Sequence, residues 1–150
     1  MIPKLYLSGA MAGCNDDKIH GWRDHVKDLW GEENCFDPSR RVWSEHNDNW
    51  NNHHTIVTMD KVDIGHCDVV FVYYESPSAG TMMEIPYGWQ IGKMVVVVCK
   101  DALVFERLSP WIIHHSHFQC ISFEAAIDYI MKYYRVATRP TICKYEAVWS

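Results

Sequence analysis

Short runs of consecutive apolar residues alternate along this chain with longer segments in which apolar residues recur every three or four positions. The runs predict strands, because a run that is apolar at every position suits a strand buried on both faces of a parallel sheet. Five strands are predicted, at residues 4–8, 34–37, 68–74, 94–99 and 118–121. The run at 68–74 is apolar enough to be a central strand of the sheet.

The segments between these runs predict helices. Residues 16–30 place apolar side chains on one helical face, with Asp16 or Asp17 at the position that caps the first turn. Three further helices are predicted, at residues 55–67, 81–91 and 123–134. Residues 44–54 hold four Asn and three His and predict a polar loop, and residues 135–150 have no clear period.

Strands that alternate with helices predict an α/β fold. We expect a doubly wound, Rossmann- or flavodoxin-like sheet of five parallel strands with helices on both faces, forming one domain over residues 1–150. Ligands of such sheets bind beyond the carboxyl ends of the strands. The loop at 9–15, the region around Asp60 and the segment 75–84 are therefore the places to look for chemistry.

The charge of the chain limits its partners. Only 14 residues are Lys or Arg against 19 Asp or Glu, for a formal net charge of −5, and no basic run occurs. Binding to polymeric nucleic acid is not expected, because it depends on clustered positive charge. The chain also lacks a signal-peptide pattern and a run of about 20 apolar residues, so we expect a soluble cytoplasmic protein without a membrane partner.

Cysteine and histidine residues do not predict a metal site. The six Cys form no C-x-x-C pair, and His53-His54 and His114-His115-x-His117 lack the helical i, i+4 spacing of a zinc site. A P-loop pattern is also missing from the sequence. We expect neither a metal nor a cofactor.

Glu84 is the first candidate for chemistry. It follows the small residues Ser78, Ala79 and Gly80, between a predicted buried strand and the start of a helix, where a loop admits a ligand. In a first helical turn the dipole favours the charged carboxylate, which would make Glu84 an ionised nucleophile. The alternative is structural, because Thr81-x-x-Glu84 also fits a capping box.

Asp60 is the second candidate. It lies in the C-terminal half of a predicted helix, where a carboxylate opposes the dipole and gains nothing locally. Two carboxylates that face one sugar can divide glycosyl transfer, one attacking the anomeric carbon and the other handling the proton of the leaving group. The alternative for Asp60, and more so for Asp63, is a solvated surface acid.

These residues resemble the nucleoside 2-deoxyribosyltransferase superfamily, which includes the 2'-deoxynucleoside 5'-monophosphate N-hydrolases. The resemblance spans nearly the whole chain. It is carried by Leu5-Tyr6-Leu7-Ser8-Gly9, by Asp60 followed eight residues on by Asp68, by Ser78-x-Gly80-x-x-x-Glu84, and by Ser116-His117-Phe118-Gln119.

The resemblance implies a role for each of these positions. Glu84 is the nucleophile that forms a covalent glycosyl-enzyme, Asp60 assists with the base, and Tyr6 positions the nucleophile or the sugar. Ser78 and Ser116 bind phosphate, and Gly9 and Gly80 belong to the loops that contact the substrate. Because the segment around Ser116 reaches into a neighbouring subunit's site in the family, a homodimer or higher homo-oligomer is expected.

The resemblance also narrows the substrate. Ser78 stands where the transferases carry an acidic residue, as in the monophosphate hydrolases, so we expect cleavage of the N-glycosidic bond of a nucleoside 5'-monophosphate. Ala10 and Ala12 replace a serine and an arginine of those hydrolases, and Pro86 replaces the glycine that usually follows the nucleophile. The alternatives are base exchange by a deoxyribosyltransferase, and a nucleotide-binding module without catalysis.

Overall fold

The sheet is the centre of the fold. The structure, a computed structural model, describes residues 2–40 and 49–137. The strands are Leu5–Ser8 (β1), Cys35–Phe36 (β2), Val69–Tyr74 (β3), Met94–Cys99 (β4) and Phe118–Cys120 (β5). They pair in the order β2-β1-β3-β4-β5, and every pair is parallel. The predicted α/β fold class and all five predicted strands are confirmed.

Within the described residues, six α-helices connect and cover these strands. They are Asp16–Trp30 (α1), Asn49–His66 (α2), Ala79–Gln90 (α3), Ala102–Glu106 (α4), Pro110–His114 (α5) and Phe123–Ala137 (α6). Two single 3-10 turns, Glu32–Asn34 and Pro38–Arg40, flank β2. The helices α4 and α5 were not predicted, because five residues are too few to set up a periodic pattern.

The prediction of a polar loop at residues 44–54 is wrong for its second half. The helix α2 already begins at Asn49 and includes the Asn- and His-rich segment, while residues 41–48 lie outside the described part of the chain. Trp50 is 88% exposed, and Val57 and Met59 are also exposed, whereas Ile64 is fully buried. The first turns of α2 therefore stand in solvent, where polar residues do not prevent a helix.

The core has two halves, one on each face of the sheet. On one face Leu5 and Leu7 of β1 pack with Val26 of α1 and Ile130 of α6. On the other face Tyr6 of β1 lies in a cluster built from these helix residues of α2, α3 and α5: Ile64, Ile85, Trp89 and Ile112. Because successive side chains of a strand point to opposite faces, one short strand contributes to both halves.

The strand order fixes where a ligand can bind. The chain leaves β1 through α1 to the edge strand β2 and returns through α2, on the other face, to β3. Beyond the carboxyl ends of β1 and β3 the connections diverge, and doubly wound sheets usually bind their ligands in a crevice at this point. In the described ranges, none of the helices has both the length and the apolar character needed to cross a bilayer.

Candidate active site

Glu84 lies beside the carboxyl end of β1, where the connections of β1 and β3 diverge. It belongs to α3, which follows β3, and its Oε1 accepts a hydrogen bond from Ser8 Oγ over 3.3 Å. Tyr6 contributes a second side-chain hydrogen bond to the same carboxylate. Because Tyr6 and Ser8 are two positions apart on β1, they point to the same face of the sheet, where α3 packs. Although the residue as a whole is only half-buried, its Oε2 is enclosed away from solvent.

The surroundings of Glu84 raise its pKa to about 7. Burial is the largest cause, since it disfavours the charged form, and the negative charge of Asp60 acts in the same direction. The hydrogen bonds from Tyr6 and Ser8 and the positive charge of Arg23 lower it. At neutral pH the carboxylate is therefore held near its midpoint, poised between the neutral and the charged form.

This finding corrects two expectations about Glu84. The helix α3 begins at Ala79 with Ser78 at the N-cap, so Glu84 lies in the second turn and the helix dipole does not keep it fully ionised. The capping-box alternative is also wrong, because the N-cap position is taken by Ser78, and Thr81 is a buried residue inside the helix. The carboxylate instead makes a tertiary contact with β1.

Asp60 is brought to the same place by a different element. It lies in the C-terminal half of α2, as predicted, and its side chain is half-buried. Its charge acts on Glu84 strongly enough to rank among the causes that raise the pKa of that carboxylate. Asp60 of α2 therefore lies near enough to Glu84 of α3 to act on its charge, and glycosyl chemistry uses a pair of neighbouring carboxylates.

Gly9 follows β1 and Gly80 lies in the first turn of α3, and both adjoin residues around Glu84. A Cβ at Gly9 would lie 2.7 Å from Trp22 Cζ2 and 3.3 Å from the carbonyl oxygen of Tyr73, so only glycine fits. A Cβ at Gly80 would lie 3.7 Å from Glu84 Oε1, which places the backbone of the first turn of α3 beside the carboxylate. Both predicted glycines therefore lie at the site.

The two predicted phosphate-binding serines differ in their positions. Ser78 is half-buried at the N-cap of α3, and its hydroxyl makes no capping hydrogen bond. Ser116 is buried, with its hydroxyl donating to Ile112 O over 2.6 Å and accepting from Gln119 Nε2 over 2.6 Å. These partners do not belong to the group of residues around Glu84, and the role of Ser116 in a neighbouring subunit stays a prediction.

Arg23 is a component of the site that the sequence analysis missed. Its side chain is fully buried, yet it carries a positive charge that acts on Glu84. The available signal was its position on α1, where the spacing Ile19, Arg23, Val26, Trp30 puts it on the apolar face. A charged residue on the inner face of an amphipathic helix is unusual, because burying an unpaired charge is costly.

The histidines near β5 have structural partners. His117 Nδ1 accepts a hydrogen bond from Val95 N over 2.9 Å, and His115 Nδ1 is 2.7 Å from Trp111 O. Among residues 2–40 and 49–137, no three His, Cys, Asp or Glu side chains are grouped to hold a metal ion.

The site is thus a partly enclosed carboxylate with a second acid, a tyrosine, a serine and a buried cation around it, beside the carboxyl end of β1 in a doubly wound sheet. No protein-family model matches this chain, and the search of curated proteins finds no match to it.

Proposed function

We propose that this chain hydrolyses the N-glycosidic bond of a nucleoside 5'-monophosphate, with Glu84 as the nucleophile. The observation that carries the proposal is the position of the Glu84 carboxylate: it is enclosed beside the carboxyl end of β1, bonded to Ser8 and Tyr6, and acted on by the charge of Asp60. Carboxylates with a strongly raised pKa beside a second acid are concentrated in functional sites.

The first step forms a covalent intermediate. The ionised Oε of Glu84 bonds to the anomeric carbon as the carbon–nitrogen bond breaks, and that electron pair leaves on the base. Asp60 relays a proton from solvent to the departing base, which makes the base a better leaving group. The hydrogen bonds from Tyr6 and Ser8 fix the carboxylate on the β1 side, so that attack follows one direction.

The second step restores the enzyme. A water molecule attacks the anomeric carbon and gives its proton to Asp60, while the bond to Glu84 breaks and returns its electron pair to the carboxylate. If a free base replaces water in this step, the same residues carry out base exchange. The two reactions therefore differ only in which acceptor reaches the intermediate.

The preference for a monophosphate rests on Ser78. Its hydroxyl is not used to cap α3, and it stands two residues before Gly80, whose backbone adjoins Glu84 in the first turn of α3. Backbone N–H groups at the start of a helix together with a serine hydroxyl suit a phosphate. From the family resemblance we further propose a homodimer, in which Ser116 of the neighbouring subunit also contacts the phosphate.

The experiment measures base release by chromatography from a panel of nucleosides and their 5'-monophosphates, with and without an added free base. The wild-type protein is expected to release base from monophosphates, and Glu84→Gln to lose about a thousand-fold or more of this rate while still binding substrate. The matched control is Glu106→Gln, which removes an exposed acid of α4 and should leave the rate unchanged.

Other results would change the assignment. Exchange between nucleosides without hydrolysis would make the protein a deoxyribosyltransferase. Binding of nucleotides without release of base by the wild-type protein would make it a binding module. Full activity of Glu84→Gln would contradict the proposed nucleophile.

A further inference from the structure

The guanidinium of Arg23 is a buried cation next to the catalytic carboxylates. We propose that Arg23 is a positioning residue for Glu84, because it fixes the end of β1 that holds the nucleophile and supplies the positive charge that this carboxylate faces. The inference concerns the charge and position of Glu84 and, for its consequence in catalysis, rests on the proposed function.

Arg23 is anchored from three sides. Its Nη2 donates to the carbonyl oxygen of Gly9 over 3.0 Å, and its Nη1 donates to the carbonyl oxygen of Ile19 in the preceding turn of α1. Its Nε lies 3.5 Å from Asp37 Oδ1 after β2. The planar guanidinium can make these contacts at once because its N–H donors point in fixed, divergent directions.

The bond to Gly9 links Arg23 to the nucleophile. Gly9 follows Ser8, and Ser8 Oγ donates to Glu84 Oε1 over 3.3 Å, so Arg23 and Glu84 bind consecutive residues at the end of β1. The backbone of Gly9 is also confined between the Trp22 ring and the carbonyl of Tyr73. A shift of the guanidinium would therefore move Ser8 and the carboxylate it holds.

Asp37 has other partners besides Arg23 that keep it ionised. Lys27 Nζ lies 2.7 Å from Asp37 Oδ2, and Ser39 N donates to Asp37 Oδ1 over 2.9 Å. Although burial by itself would raise the pKa of Asp37, these bonds from Lys27 and Ser39 lower it, so Asp37 remains ionised. A structural ion pair would thus persist between Asp37 and Lys27 without Arg23.

Four groups face the Glu84 carboxylate from three elements. Tyr6 and Ser8 come from β1, Arg23 from α1 and Asp60 from α2. Of these four, Arg23 alone is cationic, and it opposes the effects of burial and of Asp60 on Glu84. Loss of its charge should therefore leave a carboxylate that is more often protonated and less often a nucleophile.

The test is a carboxyl titration that needs no substrate. Glu84 is followed by ¹³C NMR in protein labelled at the glutamate side-chain carboxyl, and its signal is identified by its loss in Glu84→Gln. Arg23→Gln is expected to raise the titration midpoint of Glu84 by about one pH unit, whereas Arg23→Lys, which keeps the charge, should raise it less. The matched control is Lys27→Gln, which removes a cation from the same Asp37 and should leave the midpoint of Glu84 in place.

An unchanged Glu84 midpoint in Arg23→Gln, or an equal shift in Lys27→Gln, would overturn the proposal. A second measurement covers the case in which the Arg23 variants do not fold. In the wild-type protein the ¹⁵Nε resonance of Arg23 should titrate with the midpoint of Glu84, and a resonance that does not respond would also overturn it.

The two proposals fail in different ways. If the wild-type protein releases no base, the proposed function is wrong, while the titration still reports on Arg23. If the protein is active, Arg23→Gln should also move the acidic limb of kcat/KM to higher pH, and Lys27→Gln should not.

Discussion

Ser8 and Glu84 are 76 positions apart in the chain, and the hydroxyl of one donates to the carboxylate of the other over 3.3 Å. The bond joins the carboxyl end of β1 to the second turn of α3, across the point where the doubly wound chain changes direction. It holds the carboxylate against the sheet, whereas an unbonded glutamate of an exposed helix turn would sample several rotamers.

Removing the second carboxylate should shift the pH dependence of activity downwards. Because the charge of Asp60 raises the pKa of Glu84, Asp60→Asn should move the acidic limb of kcat/KM below its wild-type position near pH 7 and also reduce kcat. The measurement is a pH–rate profile between pH 5 and about 9. The control is Asp63→Asn, one turn further along α2, which should leave the limb where it is.

A limb that moves upwards in Asp60→Asn would contradict this electrostatic relation. The direction is informative because Arg23→Gln should shift the same limb the other way. The two variants should therefore shift the pKa of Glu84 in opposite directions.

The charge of Glu84 should cost stability at alkaline pH. Its pKa is about 7 in the folded protein against 4.5 for an unperturbed carboxyl, so the folded state holds the proton more tightly. The resulting stabilisation is fully present below pH 4.5 and is lost as the pH rises through about 7. Glu84→Gln should thus match the wild type at low pH and exceed its free energy of unfolding by at most about 3 kcal/mol above neutral pH.

Urea unfolding at a series of pH values measures this difference. A constant difference between Glu84→Gln and the wild type across the series would mean that Glu84 titrates normally. A difference that grows towards low pH would reverse the sign of the argument.

Gly9 should tolerate no side chain. Gly9→Ala places a Cβ 2.7 Å from Trp22 Cζ2 and is expected to lower the free energy of unfolding by about 1–3 kcal/mol, because the neighbouring ring and backbone have to shift. Gly21→Ala is the control, since a Cβ at Gly21 meets nothing within 4 Å and this residue lies inside α1. There alanine should stabilise the helix by about 0.5–1 kcal/mol. Denaturant unfolding measures the free energy of unfolding of both variants. An unchanged value in Gly9→Ala would contradict the close packing around Gly9.

Ser116 should matter for stability whether or not it contacts a substrate. Its buried hydroxyl bridges Ile112 O and Gln119 Nε2, so Ser116→Ala is expected to destabilise the fold by about 1–3 kcal/mol. Denaturant unfolding measures this effect, and substrate kinetics measure the predicted phosphate contact. A raised KM for monophosphates, with an unchanged KM for nucleosides, would support a role in a neighbouring subunit, while an unchanged stability would contradict the bridging geometry.

The sequence predicted the sheet well because buried parallel strands require apolar residues at every position. The run Val69–Tyr74 is an example, and its strand was located almost to the residue. The proximity of Asp60 and Glu84 was also within reach, since the fold class places the relevant loops at one edge of the sheet. The short helices α4 and α5 could not be predicted, because their ends depend on single capping residues such as Asp101 and Ser109.

The chemistry of Glu84 was predicted less well than its location. Its protonation depends on burial and on charges from β1, α1 and α2, which come together only in the folded chain. The start of α3 at Ala79 instead of Thr81 also changed the turn in which Glu84 lies. Arg23 was overlooked for the same reason, because its partners Gly9 and Asp37 are set by the packing of α1 against the sheet.

The pairing of β1 with β3 has a consequence for the order of events in folding. Lys4 N donates to Asp68 Oδ2 over 2.8 Å, and this contact at the start of both strands closes a loop of 64 residues. Closing so long a loop is entropically costly and slow, as it is in other parallel sheets, and no local hairpin precedes it. Tyr6 and Ser8 meet Glu84 only after that closure, so the group of residues around Glu84 is assembled only once β1 and β3 have paired.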